Sequence, residues 1–447
     1  MELQLHKREI NGLDGRVYLP TGLDPQDGAM LAALYSRSAD SVEKHIERVR
    51  AAGSGKFISK WFVGFGDQSI GDNGSITVFI EDISIIAAKA IEHWLLFNGI
   101  EPSSRYIDMS SRGMVIPPEL SAYRTASVDR LVNYAADLTQ MYTKAVEQGV
   151  ADTRRKHPRT EDTTEAEYEA AIHAWVFDRA RGLLPAGTRT CVAWHSTLRQ
   201  MGAQLFWLLN HPLVEVRKIA TTLLGLCRDV YPDTFTTKSN PRAEDWGKTL
   251  NFVLQYQDCA SRTTTVNVSL TEYGKTMLPM LKLHLADRPR KVQLPPEFSL
   301  MGTVEAGGML DYGSFRDLQR HRQFCPAVPL LSTRLGVAPF YANGLPSEAV
   351  LLMNSMPDEV HVDALYKQYF TPMAYQVPVR AVYTIPGFIH LVELRSWAGS
   401  HDTLRKLVQD WAYAAKGQLP IPLHVDIRPS TFNVQRGKQT IRLKDLL

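Results

Sequence analysis

A polar, proline-bearing segment, residues 231–241 (YPDTFTTKSNP), divides this 447-residue chain nearly in half. Proline and short polar residues favour turns and connections over regular elements. A chain of this length corresponds to about two domains of ordinary size. The sequence therefore predicts two domains, residues 1–235 and residues 236–447.

The composition indicates a globular protein without a large charge excess. Hydrophobic residues make up 44% of the chain, charged residues 22%, and the formal net charge is +3. We expect no nucleic-acid partner, since such proteins carry a basic stripe, but a few placed arginines can still bind a small anion. The N-terminal residues lack a signal-peptide core, and no run approaches about 18 apolar residues. We therefore expect no membrane partner and a cytoplasmic location.

The cysteines predict neither a zinc site nor a disulfide framework, and we expect no metal. They lie far apart and form no C-x-x-C pair, so reduced thiols are the default. The four positions are Cys191, Cys227, Cys259 and Cys325.

Apolar residues at helical spacing predict helices in both halves. One buried helix is predicted from Ile83 to about Gly99, and the preceding residues 75–80 fit either a strand or the entry to that helix. The other predicted helices cover residues 39–51, 128–147, 164–183, 196–209, 214–228, 314–322, 387–394 and 401–415.

Residues 101–106 (EPSSRY) form a dense polar segment just beyond the predicted buried helix. A guanidinium with neighbouring hydroxyls suits a phosphate group, because the guanidinium offers a planar fork of donors. The alternative is a network that caps the helix end.

Residues 314–322 (SFRDLQRHR) form a second unusual segment. On a helix, Arg316 and Arg320 share one face, and Asp317 and His321 share another. Four basic side chains in seven residues repel one another unless an anion lies among them. A solvated charged face is the alternative.

Motifs in the first half resemble those of the flavin-dependent thymidylate synthases. Residues 66–73 (GDQSIGDN) resemble the family's G-H-x-S-x-x-E-H, with Asp67 and Asn73 replacing both histidines, and residues 80–84 (IEDIS) resemble its I-E-G-V-S. Residues 101–106 fall on the E-x-S-x-R-Y end of the signature R-H-R-x-x-S-x-N-E-x-S-x-R-Y, whereas the R-H-R positions hold HWL. Residues 180–185 (ARGLLP) resemble A-R-x-x-L-P, and Arg199 resembles the arginine of N-x-R.

The second half carries elements that the first half lacks. Residues 320–322 (RHR) look like the family's R-H-R, although the rest of that signature is degraded. Counting from Pro372, His390 falls on a flavin-contacting position and Arg395 on the arginine that reaches the pyrimidine. The chain is thus similar to two tandem, diverged copies of the family.

This resemblance implies an α+β fold with two copies, each a curved sheet packed with long helices, that form a pseudo-dimer. It further implies one-carbon transfer from methylenetetrahydrofolate to C5 of a uridine nucleotide such as dUMP, with FAD as cofactor and NADPH as reductant. A homodimer of pseudo-dimers would reproduce the family's four-domain assembly. The implied catalytic residues are Arg395, Glu101 and Arg181; the substrate residues are Ser103, Ser104, Arg105, Tyr106 and Arg395; and the cofactor residues are Arg320, His321, Arg322, His390 and Arg199.

The lost motif residues leave alternatives open. A homologue without catalysis would bind flavin or nucleotide as a sensor or assembly partner. The nucleotide and the choice between a methyl and a hydroxymethyl product also stay open. Cys325 beside the RHR element is a further candidate nucleophile, although a small buried residue explains it as well.

Overall fold

The computed structural model describes residues 3–10, 16–121, 125–236, 240–256, 263–321 and 324–439, and it confirms a mixed α+β chain. The chain forms two compact units, and each draws on both predicted domains. The first comprises Met1–Ile80, Leu96–Ile100 and Val192–Phe252; the second comprises Glu81–Leu95, Glu101–Cys191 and Val253–Leu447. The domain boundary at residue 235 stays a prediction.

The first half begins with an antiparallel hairpin and then alternates helices with the strands of a second sheet. Its strands are β1 (Gln4–Glu9), β2 (Arg16–Thr21), β3 (Ser75–Ser84), β4 (Asn98–Ile100) and β5 (Arg189–Thr197). Its α-helices are α1 (Pro25–Tyr35), α2 (Val42–Ala52), α3 (Gly55–Ile58), α4 (Gln68–Gly71), α5 (Ile85–Glu92), α6 (Pro118–Ser121), α7 (Ala126–Lys156), α8 (Glu165–Ala180), α9 (Leu198–Leu209) and α10 (Val214–Val230). A π-helix covers Ser59–Gly64, and a 3-10 helix covers Arg181–Leu183.

The second half contains a four-stranded antiparallel sheet in the order β6-β7-β9-β8. Its strands are β6 (Thr265–Leu270), β7 (Gly302–Asp311), β8 (Phe324–Pro326) and β9 (Gln376–Thr384). Its α-helices are α11 (Pro241–Leu254), α12 (Glu272–Ala286), α13 (Tyr312–Gln319), α14 (Pro339–Gly344), α15 (Ser347–Asn354), α16 (Ala364–Lys367), α17 (Ile385–Arg395) and α18 (Asp402–Ala415). Short 3-10 helices cover Pro296–Leu300, Thr333–Leu335 and Val434–Gln439.

Each compact unit has its own core. In the first unit, α1 packs on the segment that follows α2, through Ala29, Ile58, Phe62 and Ile70. In the second unit, α18 packs on β7, and the indole of Trp411 is fully buried and donates a hydrogen bond to the carbonyl oxygen of Gly307 at 2.9 Å. This bond satisfies the one polar group of a large core side chain.

The predicted helix from Ile83 to about Gly99 is wrong in its extent. β3 runs to Ser84, α5 ends at Glu92, and β4 occupies residues 98–100. The hydroxyl of Ser84 accepts a hydrogen bond from the backbone N–H of Ala87 at 2.9 Å and so begins the helix. The apolar run was ambiguous, because a buried strand followed directly by a buried helix gives continuous apolar sequence.

Four strand–helix junctions recur with the same design. β3 and β7 are each ten residues long and precede eight-residue helices, whereas β5 and β9 are each nine residues long. A side-chain oxygen at each junction accepts the N–H of the third helical residue; the capping residues are Ser84, Thr197, Asp311 and Thr384. The caps fix where each helix leaves its strand.

Within the second unit, two loop segments pair by backbone hydrogen bonds around the bridge between Pro185 and Pro372. The bonds form two pairs, and the two bonds of a pair are related by exchanging the segments. Pro185 corresponds to Pro372 in this exchange, and every other position corresponds to the one at the same spacing along the chain. The bonds run from Ala186 N to Thr371 O (3.0 Å), from Met373 N to Leu184 O (3.0 Å), from Gly187 N to Tyr369 O (2.7 Å) and from Ala374 N to Gly182 O (2.9 Å). The pairing therefore has local two-fold symmetry.

No described helix is both long and apolar enough to cross a membrane. The described residues also contain no group of three or more histidine, cysteine or acidic side chains placed to hold a metal. Cys191 and Cys227 are free thiols. Cys259 and the side chain of Cys325 lie outside the described residues.

Candidate active site

Glu101 is the centre of a buried ionic cluster in the second unit. Its side chain is fully buried, and it accepts a hydrogen bond from Arg316 at 2.5 Å and pairs with Lys89 at 2.9 Å. Thr190 donates to the same carboxylate at 3.2 Å. Burial opposes ionisation, but the charges of Arg316, Lys89 and Arg320 lower the pKa of Glu101 to about 2. Glu101 is therefore the shared counter-charge of these cations.

Arg316 connects this cluster to the neighbouring polar segment. Its guanidinium donates to the Ser104 hydroxyl at 3.2 Å, and Arg320 donates to the carbonyl oxygen of Glu101 at 3.1 Å. The predicted shared face of Arg316 and Arg320 is confirmed, because both side chains reach Glu101. The alternative of a solvated face is wrong for Arg316, which is only 4% exposed.

Arg105 makes a two-pronged ion pair with a carboxylate that the motifs did not indicate. Its guanidinium donates to both oxygens of Asp178, at 2.7 and 3.0 Å, and to the carbonyl oxygen of Gly399 at 3.1 Å. Arg436 donates to the same carboxylate at 2.7 Å. Despite burial, Arg105 and Arg436 hold the pKa of Asp178 well below its ordinary value. Arg105 is thus fixed in orientation by a buried partner.

The other residues of the predicted phosphate loop lie beside Arg105. The Ser103 hydroxyl accepts the backbone N–H of Arg105 at 3.3 Å, and Ser103 is half-buried. The ring of Tyr106 lies 5.5 Å from the guanidinium carbon of Arg436. These contacts order the loop through groups of its own and of the C-terminal segment.

Arg181 occupies a buried position next to α13. It donates to the Ser314 hydroxyl at 2.9 Å and to Asp317 at 3.2 Å. Burial opposes ionisation of Asp317, but Arg181, Arg105 and Arg395 lower its pKa below the ordinary range. Asp317 is the carboxylate that these three arginines share electrostatically.

Beneath Arg181 lies a closed hydrogen-bond network. The Ser314 hydroxyl lies 2.9 Å from Nδ1 of His401 and 2.7 Å from the Thr403 hydroxyl, and Thr403 donates to Asp311. Burial, with the charge of Arg181, lowers the pKa of His401 to about 4. His401 is therefore neutral near pH 7 and serves to hold Ser314 and thereby Arg181.

Arg395 projects from the last turn of α17 and is half-buried. Its Nε donates to Nε2 of His321 at 2.7 Å, and its Nη2 donates to the carbonyl oxygen of Asp317 at 3.0 Å. The ring of His390 lies 6.2 Å from that of His321. Burial lowers the pKa of Arg395, and so do the charges of Arg105 and Arg320. The second unit therefore brings Arg105 and Arg395 into the same electrostatic environment.

The cluster carries an excess of positive charge. Among the described side chains, seven cations face five carboxylates, so the formal balance of these twelve groups is two positive charges. The cations are Lys89, Arg105, Arg181, Arg316, Arg320, Arg395 and Arg436, and the carboxylates are Glu92, Glu101, Asp178, Asp311 and Asp317. Buried charge without a partner is costly, so this excess favours an anionic ligand.

Two predicted site residues, Arg322 and Arg199, are not among the residues of this cluster. Arg322 lies outside the described residues. Arg199 belongs to the first unit, where its Nε and Nη2 both lie 2.7 Å from the Asp72 carboxylate. Sequence reasoning in turn missed Lys89, Asp178, His401 and Arg436. The side-chain partners of Asp178 and Arg436 are distant in sequence and follow no local pattern.

The family comparison agrees with the resemblance inferred from the motifs. The family model described as thymidylate synthase complementing protein matches residues 22–233. The first half of this chain belongs to that family. The matched range contains every first-half motif that carried the resemblance, from residues 66–73 to Arg199.

Curated relatives extend the similarity beyond the matched range. UPF0159 proteins of Chlamydia muridarum and Chlamydia pneumoniae are each 25% identical, over 78% and 77% of this chain and 76% and 75% of their own length. A UPF0159 protein of Thermoplasma acidophilum is 20% identical over 85% of this chain and 91% of its own. These alignments are longer than the first half, so they include second-half sequence.

We expect His321 to stay neutral, with its proton on Nδ1, because Nε2 accepts the Arg395 hydrogen bond. Burial and the charge of Arg395 hold its pKa well below 6.5. Its contribution to stability is therefore present above pH 6.5 and declines as the pH falls below that value. Nitrogen-detected NMR of the imidazoles from pH 5 to 8 would measure this. A His321 titration midpoint near 6.5 would contradict it.

Proposed function

We propose that this chain transfers a one-carbon unit to C5 of a uridine nucleotide, in a flavin-dependent reaction of the thymidylate synthase type. The observation that carries the proposal is the excess of two positive charges in the cluster that contains Arg105, Arg320 and Arg395. An anionic nucleotide phosphate would be attracted by that excess. The family membership of residues 22–233 supports the same reaction class.

The nucleotide would lie beside Arg105 and Arg395. Within the described part of the chain, Arg105 donates with Nε and Nη2, and its Nη1 would be the donor to a phosphate oxygen. Arg395 likewise donates with Nε and Nη2 to described residues, and its Nη1 would be the donor to the nucleotide. A cation beside the uracil stabilises the negative charge that develops on the ring as C5 becomes nucleophilic. Glu101 would act as a positioning residue, because it holds Arg316 and Arg320 rather than facing solvent.

Arg320, His321 and His390 fit the diphosphate and ring of a flavin such as FAD. Arg320 is the more exposed of the two arginines that reach Glu101, with 38% of its side chain accessible, and charged donors of this kind suit a diphosphate. Bound flavin would supply the reducing equivalents, with methylenetetrahydrofolate as carbon donor and NADPH as reductant. The protein side chains then supply positioning and electrostatics.

The two-copy organisation would account for the division of motifs. The two-fold pairing around Pro185 and Pro372 and the repeated strand–helix junctions support two related halves. Under this proposal the first half contributes Glu101, Ser103 and Arg105, and the second half contributes Arg320 and Arg395. A homodimer of such chains would present four related domains.

A second candidate is a flavin- or nucleotide-binding homologue without catalysis. The ion pair of Arg105 with Asp178 favours it, because this arginine is already neutralised by a protein carboxylate. Such a protein would bind its ligand and change its conformation or its assembly, without transferring a carbon to C5 of the nucleotide.

Purified full-length protein should show a flavin spectrum, as isolated or after addition of FAD, and should respond to titration with dUMP, UMP, dCMP or CMP. With methylenetetrahydrofolate and NADPH present, the preferred nucleotide should release deuterium from C5. Flavin and nucleotide binding without release would favour the second candidate. Protein that stays colourless with FAD and releases no deuterium would contradict the proposed reaction.

A further inference from the structure

A separate cavity of about 390 Å³ lies in the second unit, in the size range of small-molecule sites. One face of α7, one face of α8 and the end of α14 line it. Gly149 permits the close approach of α7 and α8, since a Cβ there would lie 2.8 Å from Cγ1 of Val176. The ring of Phe432 lies beside this cavity, stacked on His157 at 4.7 Å and edge-on to Trp175 at 6.1 Å.

Arg179 lines this cavity, and its guanidinium group has few polar partners among the described residues. Its guanidinium carbon lies 4.1 Å from the Trp175 ring centre and 5.5 Å from that of Phe340. Among the described residues, its hydrogen bonding is limited to the Trp175 carbonyl oxygen at 3.2 Å, and it forms no ion pair. Aromatic rings cover the faces of a guanidinium but accept none of its in-plane N–H groups. Several N–H groups therefore remain for a ligand.

The surroundings of Arg179 add positive charge. Lys156 lines the cavity, is exposed and forms no ion pair within the described part of the chain. The one acidic lining residue, Asp152, is paired with Arg155 at 2.5 Å. Burial lowers the pKa of Arg179, and the charge of Arg436 lowers it further, whereas Asp402 and Asp178 raise it from a distance. The Arg179 guanidinium stays protonated and, among the described residues, has no close counter-ion.

We propose that this cavity binds a small molecule that carries a carboxylate or phosphate group attached to a flat apolar part. The anionic group would accept the in-plane N–H groups of Arg179, in the two-pronged geometry that guanidinium favours, with Lys156 at the rim. The flat part would contact Trp175 and the apolar residues of the α14 end, Leu345 and Pro346. The site is independent of the proposed reaction, since none of its lining residues belongs to the Glu101 and Arg395 clusters.

Phenyl phosphate and benzoate are suitable probes, because they share the flat part and differ in the anion. Calorimetric titration of the full-length protein should show binding of at least one of them. Arg179→Gln should weaken it about tenfold or more, which corresponds to loss of a charged hydrogen-bonded pair. Gln148→Trp should also abolish binding, because it fills the cavity from an exposed position of α7 without removing a core contact.

Two controls separate this site from the candidate active site. Lys144→Gln lies on the same helix outside the cavity and should bind normally, and Arg395→Gln should keep the cavity binding. Absence of binding by both probes would overturn the proposal. So would binding that persists in Arg179→Gln and Gln148→Trp but is lost in Arg395→Gln, because the anion would then belong to the active site.

Discussion

Replacing Glu101 by glutamine should lower the free energy of unfolding by about 3–5 kcal/mol, the cost of leaving a buried ion pair without one partner. Glutamine keeps the size of the side chain but leaves Arg316, Lys89 and Arg320 without their shared counter-charge. Urea unfolding of the full-length protein near pH 7 would measure the change. Glu348→Gln is the matched control, because Glu348 pairs with Lys144 at an exposed position and should cost under about 1 kcal/mol.

The pH dependence of this difference tests its electrostatic origin. The pKa of Glu101 is lowered from 4.5 to about 2 in the folded chain. Its stabilisation is therefore fully present above pH 4.5 and declines as the pH falls toward 2. The difference between wild type and Glu101→Gln should shrink over that window. If the stability difference between wild type and Glu101→Gln is constant with pH, the charge of Glu101 does not stabilise the fold. The same conclusion follows if Glu101→Gln loses no more stability than Glu348→Gln.

Replacing Arg395 by glutamine should lower the rate of C5 transfer by about 10²–10³-fold, the range found when one donor to a developing negative charge is removed. The reason is that Arg395 would meet the pyrimidine with Nη1, while Nε and Nη2 donate to His321 and Asp317. Deuterium release from C5, measured per bound flavin, would give the rate. Flavin content and the unfolding midpoint should change little, because Arg395 is half-buried and Asp317 keeps the charges of Arg181 and Arg105 when Arg395 is replaced.

Arg380→Gln is the control for Arg395→Gln. Arg380 also lies in the second half, but it is 70% exposed and pairs with Glu305 on the surface of the sheet. This variant should retain the wild-type rate. Equal rates in both variants would remove Arg395 from the reacting site, and loss of flavin in Arg395→Gln would assign this residue to the cofactor instead.

The sequence predicted the family and several helices well, because both depend on local patterns. Helical periodicity placed α10, α17 and α18 within a few residues of their observed bounds. Helical spacing also put Arg316 and Arg320 on one face, which the shared contacts with Glu101 confirm. A short, continuous motif indicates helix bounds and shared helix faces because these depend only on residues close in sequence.

The burial and pairing of the site residues could not be read from the same motifs. Arg105 and Asp178 are separated by 73 positions, and Glu101 and Arg316 by 215, so no local pattern connects them. The motifs indicated that Arg105 meets phosphate, and that assignment stays a prediction beside the observed ion pair with Asp178. The strands β5 and β9 were also missed, since each leads directly into a helix and both are partly buried.

The paired segments around Pro185 and Pro372 have a consequence for how such a chain can change over time. The four hydrogen bonds between them join backbone atoms alone. They demand no particular side chain except at Gly182 and Gly187, where an added Cβ would lie 2.5 Å from the Tyr341 ring and 2.7 Å from the Tyr369 carbonyl oxygen. At the other positions, substitutions in one segment can accumulate without a matching substitution in the other. A symmetric joint of this kind leaves the chemistry on its two sides free to become unequal, as the contrast between Arg181 and its symmetry-related position, Gln368, illustrates.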